Sequence, residues 1–143
     1  MRYQKTPHGY MVRLQKGEEI HASLTRFMKE KKFGGGSVTG LGAVTDVGLG
    51  YFHLNTKQYD RHEYKDEYEL VSLTGNLSLV DGQPLLHAHV VISGSDMAAI
   101  SGHLFAATIA VTGEFAITVS DTPMNRALDP ETGLKLLDLP EDL

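Results

Sequence analysis

Three of the seven histidines sit in one short stretch, LLHAHVVISGSDMAAISGHL, as His87, His89 and His103. On an extended strand, residues i and i+2 point to the same side. His87 and His89 would then project together, with Cβ atoms about 7 Å apart. Two imidazoles at that spacing can converge on one ion, and His103 follows a Ser/Gly-containing segment that can return the chain alongside. Three neutral imidazoles with an open fourth position are a common arrangement for zinc, and they also suit other divalent transition metals. The same pattern is equally that of two half-exposed histidines on a solvent face, and spacing alone leaves both readings open.

An ion with an open position can polarise a carbonyl or activate water, and three polar residues could assist it. Asn76 lies in a TGN segment that reads as a turn or bulge before the His-x-His strand. Glu114 lies in the next strand region, and Arg13 could hold a substrate carboxylate bidentately. Each has an ordinary alternative. Asn76 can serve the backbone angles of a turn, Glu114 can pair with a lysine, and Arg13 can lie along a sheet edge. His8, His21, His53 and His62 read as surface residues.

The elements that must carry these side chains follow from periodicity. A strand is predicted around 10–14, then Gly17, then a helix over about 18–32. Ile20, Leu24, Phe27 and Met28 recur at helical spacing and define its buried face. Glu18 and Glu19 at its start and Lys29, Lys31 and Lys32 at its end match the helix dipole, which gives the lysine cluster a structural role. Gly34, Gly35 and Gly36 leave a helix and enter a strand, the reverse of a phosphate-cradling loop, and read as a C-terminal cap plus turn. Further strands are expected in SVTGLGAVTDVGLGYF, with glycines at bends or bulges, and over 59–64, 69–79, 85–93 and 108–119. Asp81-Gly82 is a hairpin signal. In the strand over 85–93, Leu86, Ala88, Val90 and Ile92 form a wholly apolar face, opposite the histidines. One helix with seven or eight strands implies an α+β domain on mainly antiparallel sheet.

At 143 residues the chain suits one domain, expected over 1–120, followed by an acidic, proline-containing tail over 121–143 with at most a short helical turn. Net charge is −5; the tail holds six acidic and two basic residues, a net of −4, which leaves −1 for the rest. Neither part has the basic excess of a nucleic-acid binder. The chain has no cysteine, so disulfides and thiolate metal sites are excluded, and a metal must use histidine, carboxylate or carbonyl ligands. No segment reaches the roughly 20 apolar residues of a membrane span, and the N-terminus has no apolar run of signal-peptide length. A cytoplasmic location is expected.

Taken in order, MVRLQKGEEI, GSVTGLGAVTDVGLGYF, YELVSLTGNLSLVDGQPLLHAHVVIS and SGHLFAATIAVTGEFAIT resemble the plants-and-prokaryotes-conserved (PPC) domain in its stand-alone prokaryotic form. The resemblance implies an α+β fold with one long helix and assembly as a homotrimer. It also implies retention of His87, His89 and His103 as metal ligands. In plants the domain follows AT-hook segments in DNA-binding regulators, and prokaryotic members share the DNA-binding label. No Arg-Gly-Arg-Pro core occurs in this chain, so the groove-reading part is missing. A more distant likeness, confined to the ligand pattern, is to the acetolactate decarboxylases, which hold a catalytic zinc on a His-x-His pair plus a later histidine. Two functions are therefore expected: a metal-binding, DNA-associated regulatory module, or a zinc-dependent enzyme of lyase or hydrolase type acting on a small carbonyl or carboxylate substrate.

Overall fold

A computed structural model describes residues 1–140. Its elements run β1 (Arg2–Thr6), β2 (Gly9–Gln15), α1 (Ile20–Lys31), β3 (Gly36–His53), β4 (Gln58–Tyr64), β5 (Tyr68–Val80), β6 (Gln83–Ser93), β7 (Ala99–Val119), β8 (Asn125–Leu128) and β9 (Lys135–Asp138). All strands join one sheet, antiparallel except for a single parallel pairing of Leu79 with Asn125. This is the expected α+β class. The long strands β3 and β7 pair along most of their length, β5 pairs β3, β6 pairs β5, and β6 pairs the first part of β7. The circuit β3–β5–β6–β7 thereby closes on itself.

The pairing register assigns two faces. Val12, Phe115, Gly40, Leu73 and Val90 lie opposite one another across β2, β7, β3, β5 and β6, and their side chains point into the core. Gly40 belongs to this row because the Phe115 ring fills its side-chain space: a Cβ there would lie 2.2 Å from Phe115 Cδ1. One residue along, Met11, Ala116, Thr39, Thr74, His89 and His103 form the matching row on the outer face.

Helix α1 covers the core face and packs against β6 and β7. Ile20, Leu24, Phe27 and Met28 are fully buried there, as the 3.6-residue period requires. Glu19 is the N-cap; its carboxylate accepts from the amides of His21 and Ala22. Leu86, Ala88, Val90 and Ile92 are all buried, the apolar face expected for β6. Asp81 and Gly82 take positive φ in the β5–β6 hairpin, as a two-residue turn demands. No helix among the described residues is long and apolar enough to cross a membrane.

Two expectations need correction, and one strand is new. The helix ends on Lys32 in the left-handed region, φ 58°, and not on a glycine cap. Gly34 and Gly35 serve a different purpose, a close crossing of the chain: a Cβ on either would meet Pro123 or Met124 at under 3 Å. The segment after residue 120, expected to be an acidic tail without strands, forms β8 and β9, which pair as an antiparallel hairpin around a turn closed by the Gly133 amide donating to Asp129 O at 2.8 Å; residues 141–143 lie outside the described residues. β1 was not foreseen either, because RYQKT lacks an apolar alternation.

Candidate metal centre

His87 and His89 sit on β6, and His103 sits directly opposite His89 in the β6–β7 pairing. The strand β7 begins at Ala99, so His103 is inside a strand and held by its ladder, not carried on a loop. Ring centroids are 5.4 Å apart for His87 and His89, 5.2 Å for His87 and His103, and 5.5 Å for His89 and His103. One nitrogen from each ring lies within 4.8 Å of the others. Tetrahedral zinc, with Zn–N of about 2.0–2.1 Å, would draw three nitrogens to about 3.3–3.4 Å of one another.

Burial favours the neutral form of two of the rings. Burial, with the neighbouring His87 and His89 rings, lowers the His103 pKa to about 4. Burial, with the Arg126 guanidinium and His89, also lowers that of His87. Neutral imidazoles are the metal-binding form. His103 Nδ1 is buried with no hydrogen-bond partner among the described residues. An orphaned ring nitrogen of this kind costs free energy that a bound cation would recover. On these observations the three residues fit a divalent metal. Tyr59 and Phe105 flank the His103 ring at centroid distances of 5.1 and 5.0 Å.

Beside His87 and His103 opens a cavity of about 300 Å³, lined also by Tyr59, Leu85, Arg126 and Leu136. Arg126 arrives from β8 through a chain of backbone contacts. The Met124 amide donates to Gly34 O at 3.1 Å, and Met124 O accepts from the Leu79 amide at 2.8 Å. This sets Arg126 over the outer face of β5. Its Nε donates to Ser78 Oγ at 2.9 Å, its Nη1 to the Lys135 carbonyl at 2.7 Å, and its Nη2 to Asn76 Oδ1 at 2.8 Å. Nη2 also lies 3.3 Å from His87 Nδ1. In that contact the ring nitrogen accepts, because a guanidinium has no lone pair to offer.

Of the assisting residues expected from sequence, Asn76 is in place but for a different reason. It lies in the interior of β5, directly opposite His87, not in a turn. Gly75, which suggested the turn, faces inward where a Cβ would lie 2.3 Å from the His87 carbonyl. Arg13 and Glu114 are cross-strand partners on β2 and β7. They line a separate shallow depression with Tyr3 and Met11, and neither borders the histidine cavity. His8 and His62 are exposed, and His53 pairs with Asp60 at 2.7 Å. His21 departs from its surface reading: its Nδ1 is buried without a hydrogen-bond partner, 3.7 Å from Glu19 Oε1. Arg126, Ser78 and Tyr59 were missed. The available signal was the DPETG turn between apolar residues of the tail, which marks a hairpin carrying an arginine.

A one-helix, mainly antiparallel domain with an imidazole cluster on its outer face defines a class of candidate metal-binding modules. Comparison with known proteins makes the class specific. The family profile of the Plants and Prokaryotes Conserved (PCC) domain matches residues 1–121. The chain belongs to this family, the PPC domain proteins. A Bacteroides thetaiotaomicron structure, described as that of a candidate DNA-binding protein, is 34% identical over 96% of each chain, with a TM-score of 0.92. The plant- and prokaryote-conserved protein of Pyrococcus horikoshii is 30% identical over 92% of each chain, with a TM-score of 0.85. A metal-containing protein from Archaeoglobus fulgidus is 30% identical, covering 96% of this chain and 97% of that one, also at 0.85. Among curated proteins, none matches the chain.

Proposed function

We propose that this PPC-domain protein holds zinc, or another divalent transition metal, on His87, His89 and His103, and presents it to a small-molecule ligand. The observation that carries this reading is the convergence of three imidazoles from two paired strands beside a cavity of about 300 Å³. The metal-containing relative from Archaeoglobus fulgidus supports it. When bound, the ion would supply Lewis acidity at its open position. Around that position this chain's own residues shape the site: Tyr59 and Phe105 shield His103, and Arg126 provides a fixed positive charge. These features suit a zinc-dependent lyase or hydrolase acting on a small carbonyl or carboxylate compound.

The working form is a homotrimer in the cytoplasm. Met11, Leu41 and Val71 stand 45–56% exposed along one depression of the outer sheet face, apolar surface that assembly would cover. The domain boundary near residue 120 is supported by the family match over 1–121, and the β8–β9 hairpin that follows is an extension docked on the same sheet. A second reading, a DNA-associated regulatory module, draws on the description of the Bacteroides relative; the net charge of −5 opposes it.

Metal analysis of wild type and His87→Ala tests the principal reading. Wild type is expected to carry one zinc per chain and the variant none, with both folded. Equal zinc in the two proteins would remove the proposal.

A further inference from the structure

Arg126 carries a charge that nothing among the described residues cancels. Its four neighbours are a hydroxyl, a carbonyl, an amide oxygen and an imidazole nitrogen, all neutral. Among the described residues, no acidic side chain lines the cavity. The other cation at its edge, Lys135, is already paired with Asp81 at 3.0 Å. A half-buried guanidinium is ordinarily matched by a carboxylate or phosphate. A divalent ion on three neutral histidines would add to this positive charge and not offset it.

The donors also remain available. A guanidinium has five N–H groups, and Ser78, Lys135 and Asn76 occupy one each on Nε, Nη1 and Nη2. Among the described residues, one N–H on each terminal nitrogen is left without an oxygen acceptor. That of Nη2 has only the long 3.3 Å contact to His87 Nδ1. Asn76 and Ser78 are neutral residues where an aspartate would have closed the charge balance. They fix the guanidinium in place without quenching it, and Ser78 is completely buried in doing so.

We infer that Arg126 is the anchor for the carboxylate of a small organic acid bound in the cavity beside His87 and His103. The inference rests on the reading of this cavity as a ligand site and names the class of ligand. Its physical basis is charge balance: the anion supplies the missing negative charge, and Arg126 can donate to it the second N–H of Nη1 and, in exchange for the long contact with His87 Nδ1, that of Nη2. Asn76, expected from sequence to assist the chemistry, is on this account a positioning residue that holds Arg126.

An NMR titration with lactate, and with lactamide as its neutral counterpart, tests the assignment on zinc-loaded and metal-free protein. Wild type is expected to bind lactate about ten- to a hundredfold more tightly than lactamide, the range set by a charge-assisted hydrogen bond. Arg126→Gln should abolish that preference while leaving zinc content unchanged. Because Arg126 also docks β8 on β5, Asn76→Asp serves as a second variant. It places a carboxylate against Nη2, keeps the hairpin docked, and should weaken lactate binding about tenfold or more. Unchanged lactate affinity in either variant, or no preference for lactate over lactamide in wild type, overturns the proposal. A wild type that binds no zinc but still prefers lactate through Arg126 would reject the metal and retain the carboxylate anchor.

Discussion

Acidifying the metal-free protein should destabilise it in a specific window. The His103 pKa is about 4 in the fold, against an ordinary value of 6.5, because burial and the adjacent imidazoles disfavour its charged form. Below pH 6.5 the unfolded chain therefore takes up a proton that the folded chain resists. Stability from this ring is fully present above pH 6.5, declines as pH falls toward 4, and changes no further below that. A gap of about 2.5 units corresponds to at most about 3.4 kcal/mol. The ring is half-buried, so solvent screening reduces this to about 1–2 kcal/mol. His87 moves in the same direction, and its ring centroid is 5.2 Å from that of His103, so the two contributions are coupled. The acidic groups with lowered pKa, Glu18, Glu19 and Asp129, lose their stabilising charge only below about pH 4.5. Urea unfolding between pH 8 and pH 4.5 thus isolates the histidines. Wild type should lose about 1–2 kcal/mol over that range. His103→Phe, which keeps a ring between Tyr59 and Phe105 and removes the titration, should lose clearly less. Equal losses in the two proteins, or a wild-type stability that is flat across the window, would refute the reasoning.

Two further outcomes are expected. Gly75→Ala forces a methyl group to 2.3 Å from the His87 carbonyl and 2.9 Å from Ala88 Cα, both backbone atoms. The strands β5 and β6 must part, at a cost of about 1–3 kcal/mol and a fall of about 3–10 °C in Tm, with weaker zinc binding as His87 shifts; a melt matching wild type would contradict this. For DNA, a chain with a net charge of −5 should bind duplex weakly at low salt and show no retention near about 0.2 M salt, where few phosphate contacts survive. Tight binding in a filter or mobility assay at that salt would favour the regulatory reading.

The contrast between His89 and Arg126 shows what could be read in advance. His87 and His89 share a face because the strand period is exactly two, and Leu86, Ala88, Val90 and Ile92 can only face the core. The return of His103 needed only a short connection, and β7 re-enters with Ser93 opposite Ala99. Helix α1 was likewise written in its apolar period and in the charges at its two ends. Asn76 was misread because a glycine beside an asparagine is a local turn signal. Gly75 is needed instead because the next strand passes against it, a contact absent from local sequence. The tail was misread for the opposite reason. Its acidic, proline-interrupted composition hides a four-residue strand pair whose stability comes from docking on β5.

The amino-acid order thus determined the helix, most strands, and the two faces of β6 with His87 and His89 on one of them, since all of these depend on periodicities a few residues long; the β6–β7 pairing brought His103 to them. Tertiary structure alone decided that Arg126 would stand over Asn76 and Ser78, residues 50 and 48 positions away in the chain. It also decided that the guanidinium would have no acidic neighbour in the cavity among the described residues. No local pattern can encode such a pairing. It exists because Gly34 and Gly35 let the chain after β7 cross closely, and because the Met124–Leu79 contact then sets the register of β8 against the sheet.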